Sequence, residues 1–185
     1  MNAEVETRRF TVEEYEHLAE TGFFRPDERV ELLNGEIFNM APIGIRHAKA
    51  VQRLIRQMSR KFEEVALVDS QTPFILDDES EPQPDILLLR LEFEKVMKRP
   101  RPADILLVVE VSDSTYRFDS TEKLRAYARN GIREYWIINL QDSCVEVYRC
   151  PQGERYTEQF KQSPGTMVSP LEFSDRSVAV ADVLA

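Results

Sequence analysis

An acidic side chain opens one apolar stretch of the sequence, and a second lies inside the next. Asp85 precedes the run ILLLR, and Glu110 is set within the aliphatic stretch ILLVVEVS. A carboxylate in a buried strand costs free energy unless a cation or hydrogen bonds compensate for it. If the two strands are neighbours, the carboxylates meet at one end of a sheet and stay ionised only with a cation between them. The pattern therefore predicts a hard divalent ion, Mg²⁺ or Mn²⁺, at Asp85 and Glu110.

A lysine follows on the next predicted helix. Lys123 lies thirteen residues after Glu110, with Asp119 four positions before it. An ammonium beside such a metal can orient or help deprotonate the attacking water and stabilise the charge of phosphoryl transfer. The structural alternatives are an ordinary Asp119–Lys123 helix pair worth roughly 0.2–0.5 kcal/mol, a strand-start role for Asp85 and a strand-end ion pair for Glu110. Taken together, the three residues favour a nuclease-like site.

The apolar pattern predicts the elements that position these residues. Thr11, followed three positions later by a glutamate, is the capping-box signature of a short helix. Asn34-Gly35 predicts a β-hairpin with strands near residues 29–33 and 36–40. Residues 45–64 carry apolar side chains at helical spacing, which predicts a long amphipathic helix. Its basic residues, a row that is usually just a solvated face, are Arg46, Lys49, Arg53, Arg56, Arg60 and Lys61.

The remaining elements alternate between strands and one further helix. Strands are predicted near residues 65–69, 72–76, 84–90, 104–112, 134–140, 143–150, 155–160 and 170–173. A helix is predicted near residues 120–130, after a polar loop, and Gly131 follows it where a left-handed cap is favoured. The fold class is therefore mixed α/β (α+β), with a central mixed β-sheet flanked by helices and preceded by the N-terminal helix and hairpin.

Length and charge limit the function classes. The 185 residues predict a single domain spanning 1–185. A net charge of −9 repels nucleic acid at long range, which counts against a dedicated DNA-binding module but not against an enzyme with a local basic groove. No apolar run approaches the roughly 20 residues of a membrane span, and MNAEVETRRF contains no signal stretch. Because Cys144 and Cys150 are too far apart along one strand for a disulfide, a cytoplasmic location is expected.

A family resemblance adds to these inferences. The order PD, EVS, D-x-x-x-K and YARNGIREYW resembles the PD-(D/E)xK restriction-endonuclease-like superfamily. More narrowly, the chain is similar to the Uma-type family of bacterial endonucleases. The similarity covers most of the chain, from VELLNGEIFNMAPIGIRHAKAV through EPQPDILLLR to LLVVEVSDSTYRFDSTEKLRAYARNGIREYWIINL. It implies a restriction-endonuclease-like core.

The resemblance also implies roles for residues. Asp85 and Glu110 would ligate the metal. The usual E-x-K lysine would stand at position 112, where this chain has Ser112, and Lys123 on the following helix takes its place. Because a helix packed across the end of a sheet can bring an ammonium to the same point, the exchange is physically reasonable.

Two further residues match family positions. Glu31 corresponds to an acidic position upstream of the first long helix and would complete the site, and His47 would contact phosphate or water. Read without the family, Glu31 fits a side chain facing water, and His47 fits a structural role at a helix start.

The expected activity is metal-dependent hydrolysis of DNA by a homodimer. Two alternatives stay open at this point. One is a catalytically inactive nuclease-fold protein acting as a binding or dimeric interaction module, which the net charge and Ser112 favour. The other is a protein in which the charged triad is purely structural.

Overall fold

The computed structural model describes residues 7–184, which form a mixed α/β structure. In chain order the elements are α1 (Val12–Glu20), β1 (Val30–Leu33), β2 (Glu36–Asn39), α2 (Ile45–Phe62), β3 (Ala66–Ser70), β4 (Ile86–Arg90), β5 (Ile105–Ser112), α3 (Tyr116–Phe118), a π-helical segment (Asp119–Lys123), α4 (Leu124–Arg129), β6 (Glu134–Asn139), β7 (Cys144–Gln152), β8 (Arg155–Gln162), β9 (Met167–Val168), β10 (Val178–Ala179) and α5 (Val180–Leu184). Short 3₁₀ turns occupy Leu91–Lys95 and Pro102–Asp104.

The central sheet contains six strands in the order β3-β4-β5-β6-β7-β8. Every neighbouring pair is antiparallel except β5 and β6, which are parallel. A parallel pair needs a crossover connection, and the helical stretch from α3 to α4 provides it. The predicted mixed sheet flanked by helices is therefore confirmed.

Helices cover both faces of the sheet, which explains why all eight residues of β5 are buried. Side chains alternate along β5, so that Val109 and Val111 pack with α2, whereas Val108 packs with α4 on the opposite face. The apolar spacing of α2 buries five side chains against the sheet, namely Ala50, Val51, Leu54, Met58 and Phe62.

Three sequence predictions were wrong. Residues 72–76 form no strand, because Phe74 and Ile75 donate their N–H groups to the loop carbonyls of Pro82 and Pro100 rather than to a strand ladder. Residues 170–173 form a turn, and the nearby ladder joins β9 to β10 instead. The helix predicted to begin near residue 120 starts at Tyr116, within the expected polar loop.

The described residues include no helix that is long and apolar enough to cross a membrane. Cys144 is buried and Cys150 exposed, and both are free, as predicted from their separation. The prediction that the stretch MNAEVETRRF contains no signal sequence concerns residues 1–10, and most of these lie outside the described residues.

The N-terminal hairpin forms at Asn34-Gly35 as predicted. Both residues have positive φ, 53° and 75°, which suits a two-residue hairpin turn. An added Cβ at Gly35 would lie 3.2 Å from Arg9 Cα and closer still to the Arg9 side chain. The N–H of Phe10 donates to Gly35 O at 2.9 Å. Glycine is therefore required both by the turn and by the chain that crosses it.

We expect Gly35→Ala to destabilise the protein more than Gly22→Ala does. Gly22 has a similar φ of 73° but open space around it, so its substitution carries only the left-handed backbone cost of about 1–2 kcal/mol. Gly35→Ala adds displacement of the Arg9 backbone. Urea denaturation of the two variants measures the difference, and equal midpoints would contradict the role of the close approach.

Arg99 connects α1 to the buried carboxylate of Glu81. Arg99 pairs with both Glu81 and Glu16, yet Glu81 Oε2 is buried without a hydrogen-bond partner among residues 7–184. Burial raises the pKa of Glu81 to about 7 although Arg99 acts to lower it. The folded state therefore takes up a proton that the unfolded state, with its ordinary glutamate pKa, has released.

The free energy of unfolding should consequently fall as pH rises through about 4.5 to 7, the window between the two pKa values of Glu81. Glu81→Gln should flatten this part of the stability–pH curve. Glu16→Gln changes the more exposed partner of Arg99 and removes a charge that adds to the raised pKa of Glu81, so it should reduce the slope without abolishing it, because burial is the larger cause. An unchanged slope in Glu81→Gln would show that other groups titrate there.

Candidate active site

The register of two antiparallel strands brings Asp85 to Glu110. Ile86 pairs with Val109, so that the residue before β4 falls opposite Glu110 near the end of β5. Asp85 Oδ2 accepts a hydrogen bond from the Val111 N–H at 2.8 Å, which fixes the carboxylate against this end of the sheet. The two strands are therefore adjacent, as expected, and both carboxylates line one cleft.

Lys123 joins two acidic residues that are far apart in the sequence. Its Nζ lies 2.8 Å from Glu110 Oε1 and 2.9 Å from Glu31 Oε2, and only 1% of the lysine is exposed. The contact with Glu31 Oε2 is an ion pair without hydrogen-bond geometry. The hairpin strand β1 supplies Glu31 and the π-helical segment supplies Lys123.

Lys123 is an ammonium at neutral pH. Burial acts to lower its pKa, but the carboxylates of Glu110, Glu31 and Asp119 together raise it above the usual lysine value. A lysine in this state donates hydrogen bonds and offers no lone pair to take up a proton. The side chain thus serves as a fixed positive charge rather than as a general base.

Glu110 is a buried carboxylate next to both a lysine and other carboxylates. Burial raises its pKa well above the usual glutamate value; Lys123 opposes this, while Asp119 and Asp85 add to it. The hydroxyl of Tyr127 donates to Glu110 Oε1 at 3.0 Å. Lys123 and Tyr127, from the π-helical segment and α4, therefore both donate to the same oxygen of the carboxylate.

Asp119 belongs to the same cleft, although it was predicted only as a helix-pair partner of Lys123. Its Oδ2 accepts hydrogen bonds from Ser112 Oγ and Thr115 Oγ1, both at 2.6 Å. Burial raises its pKa, and Lys123 acts against that effect. Among the described residues, Lys123 forms ion pairs with Glu110 and Glu31 instead. The D-x-x-x-K spacing was the available signal for this residue.

His47 stands at the start of α2 and faces the cleft. Its Nε2 lies 3.0 Å from Asp85 Oδ2. Burial acts to lower the pKa of the imidazole, but the hydrogen bond and charge of Asp85 raise it overall. Within the structure of residues 7–184, the buried Nδ1 has no hydrogen-bond partner. The structure thus brings together all five predicted site residues, namely Glu31, His47, Asp85, Glu110 and Lys123.

The cleft has a volume of about 140 Å³, and its wall carries more acid than base. Its lining includes one ammonium, one guanidinium, one imidazole and five carboxylates, those of Glu31, Asp85, Glu110, Asp113 and Asp119. No three Asp, Glu, His or Cys side chains in the described part of the chain already form a complete ligand set. Magnesium is typically bound by one or two carboxylates together with water and phosphate oxygens. Asp85 and Glu110 fit that donor set.

A mixed sheet between helices, with strand-end carboxylates and a lysine from the crossover helix, defines a nuclease-like class of α/β protein. Residues 12–181 match the family described as "Uma2: Putative restriction endonuclease", and the chain belongs to this family, as the sequence motifs predicted. No curated protein matches the chain.

The fold is also similar to a solved structure, the crystal structure of "a putative nuclease belonging to DUF820" from Anabaena variabilis. The TM-score is 0.70 at 15% sequence identity, over 95% of this chain and 97% of that one. At this identity the likeness establishes the fold.

We expect Lys123→Met to destabilise the protein by about 3–5 kcal/mol, because it leaves the buried Glu110 and Glu31 without their cation. Lys161→Met is the matched control. Lys161 is 57% exposed, and its partner Glu146 keeps hydrogen bonds from Tyr116, Tyr148 and Asn139.

The control should cost less than about 1 kcal/mol. Denaturant unfolding at constant pH measures both variants. Equal losses would contradict the role of Lys123 as the central counter-ion.

Proposed function

We propose that the protein is a metal-dependent endonuclease that hydrolyses DNA phosphodiester bonds at the Asp85–Glu110 cleft. The observation that carries the proposal is the buried Lys123 ammonium, 2.8 Å from Glu110 Oε1 at the end of the sheet where Asp85 lies. A lysine in this position supplies the positive charge that Ser112 cannot. Family membership supports the same reaction class.

Asp85 and Glu110 would hold Mg²⁺ or Mn²⁺. Each uses one oxygen in the hydrogen bonds described above, which leaves the other oxygen for coordination. When bound, the ion would supply Lewis-acid stabilisation of the phosphate charge. Neutralisation of the acidic wall would also favour the ionised form of Glu110.

The chain's own residues divide the remaining work. Lys123 keeps Glu110 in position through its ion pair and stabilises negative charge that develops beside it. His47 holds its proton more tightly than a free histidine, and the hydrogen bond between its Nε2 and Asp85 Oδ2 keeps that carboxylate in position for the ion. Asp119, held by Ser112 and Thr115, adds to the negative field. A homodimer, with one cleft for each strand of a duplex, belongs to the same proposal.

An inactive interaction module is the competing function. Ser112 favoured that alternative in the sequence, because the E-x-K lysine is missing there. The Lys123 ammonium beside Glu110 supports the nuclease instead, because it supplies a positive charge at the carboxylate. The net charge of −9 favours the interaction module.

The test uses two isosteric variants of the cleft, Asp85→Asn and Glu110→Gln. We expect each to lower Mg²⁺-dependent cleavage of plasmid and linear DNA by on the order of 10²-fold or more. Each should also weaken Mn²⁺ binding measured by calorimetry. Glu92→Gln changes an exposed glutamate outside the cleft and should behave as the wild type.

Thermal melts confirm that each variant is folded before its activity is compared. Full cleavage by both Asp85→Asn and Glu110→Gln would overturn the proposed site. A wild type that neither binds Mn²⁺ nor cleaves any DNA form would instead support the interaction module.

A further inference from the structure

The outer face of α2 carries a continuous row of positive charge. Five basic residues recur at intervals of three or four positions, which places them on one side of the helix, and the row comprises Arg46, Lys49, Arg53, Arg56 and Arg60. The 18 residues of α2 include six Arg or Lys and no Asp or Glu. The whole chain has 24 basic and 33 acidic residues. The rest of the chain outside α2 therefore holds 18 basic residues and all 33 acidic ones. Positive charge is concentrated on this helix within an acidic protein.

This row takes little part in holding the fold together. Arg46 contacts Leu140 O and lies 3.9 Å from Asp113. The other four residues of the row form no ion pair with any residue between 7 and 184. By contrast, Arg129, Arg133 and Arg149 are each paired with a glutamate. The α2 row is therefore a basic surface that the fold leaves available, and it is a continuous one on a single helix.

The row starts at the acidic cleft. Gly44 and His47, at the first turn of α2, line the cleft itself. From Arg46 to Arg60 the helix rises roughly 21 Å at 1.5 Å per residue. A polyanion lying along this face would therefore have one end at Asp85 and Glu110.

The burial of the apolar face of α2 favours a nucleic acid over a membrane surface as the binding partner. A basic amphipathic helix binds a membrane by inserting its apolar face. Here that face packs in the core, with Leu54, Met58 and Phe62 fully buried. The exposed side carries the basic row, with Ile45 at the first position of the helix as its large exposed apolar side chain. A row of separate cations matches the regular phosphates of a nucleic-acid backbone.

We propose that the outer face of α2 is a track for the DNA backbone that leads the substrate into the cleft. The choice of partner rests on the proposed nuclease function. The track concentrates positive charge where the backbone lies, which lets a chain of net charge −9 approach DNA from one side.

The experiment measures binding of a short duplex by fluorescence anisotropy in EDTA, so that no cleavage occurs, over a range of salt concentrations. Arg53→Gln, Arg56→Gln and Arg60→Gln are combined in one variant. The matched control combines Lys95→Gln, Lys98→Gln and Arg101→Gln. These control residues are exposed, form no ion pair within residues 7–184 and lie beyond the opposite end of β4 from Asp85. Both variants lose three positive charges.

The α2 variant should bind the duplex more weakly. In a plot of log K against log salt concentration, the slope should become shallower by about 2.7, because each of the three lost phosphate contacts contributes about 0.9. The control should keep the wild-type slope. Equal changes in both variants would overturn the track, because net charge alone would then explain the effect. Unchanged binding by the α2 variant, or no duplex binding by the wild type at low salt, would also overturn it.

Two further arms separate this proposal from others. Wild-type binding to phosphatidylserine vesicles that is lost in the α2 variant, with duplex binding unaffected, would overturn the track in favour of a membrane surface. If the wild type cleaves no DNA, but the salt dependence of duplex binding decreases in the α2 variant and not in the control, the track stands and the nuclease function fails. If the wild type cleaves and the α2 variant binds and cleaves equally well, the function stands and the track fails.

Discussion

The ammonium of Lys123, shared between Glu110 and Glu31, is the interaction on which the site depends. Taking these three charges out of water costs several kcal/mol per ion, which only close pairing and further hydrogen bonds repay. Tyr127 adds such a bond to Glu110. Because the three charged residues come from the hairpin, the central sheet and the crossover helix, their pairing fixes how these elements meet.

The excess acid around this ion pair is hard to explain by stability alone. Asp85 and Asp119 line the same cleft, and burial raises the pKa of Asp119 and Glu110 despite the nearby lysine. A carboxyl group whose pKa is raised by folding lowers the free energy of unfolding at neutral pH. Natural proteins accept such local conflicts mainly at functional sites. A cation bound in the cleft would relieve the conflict, which is why charge and function point to the same place.

Local signals in the sequence predicted the elements, whereas contacts between distant segments decided the rest. The Thr11 capping box and the Asn34-Gly35 turn both depend on a few neighbouring residues, and both formed as predicted. Alternating Phe74 and Leu76 mimic a strand, but the partners of this segment are loop carbonyls that no local pattern specifies. Asp119 was missed as a cleft residue for the same reason, since its position depends on tertiary packing.

The position of Lys123 beside Glu110 follows from the geometry of the parallel β5–β6 pair. Alternation along β5 places Glu110 and Ser112 on the face that also carries Val108, and α4 packs on this face. The crossover from β5 to β6 must lie on one face of the sheet, and its π-helical segment carries Lys123 to Glu110. A lysine on the strand and a lysine on the crossover can therefore serve the same carboxylate. With the lysine on the helix, a small residue suffices at position 112, and the Ser112 hydroxyl secures the same segment by donating to Asp119 at 2.6 Å.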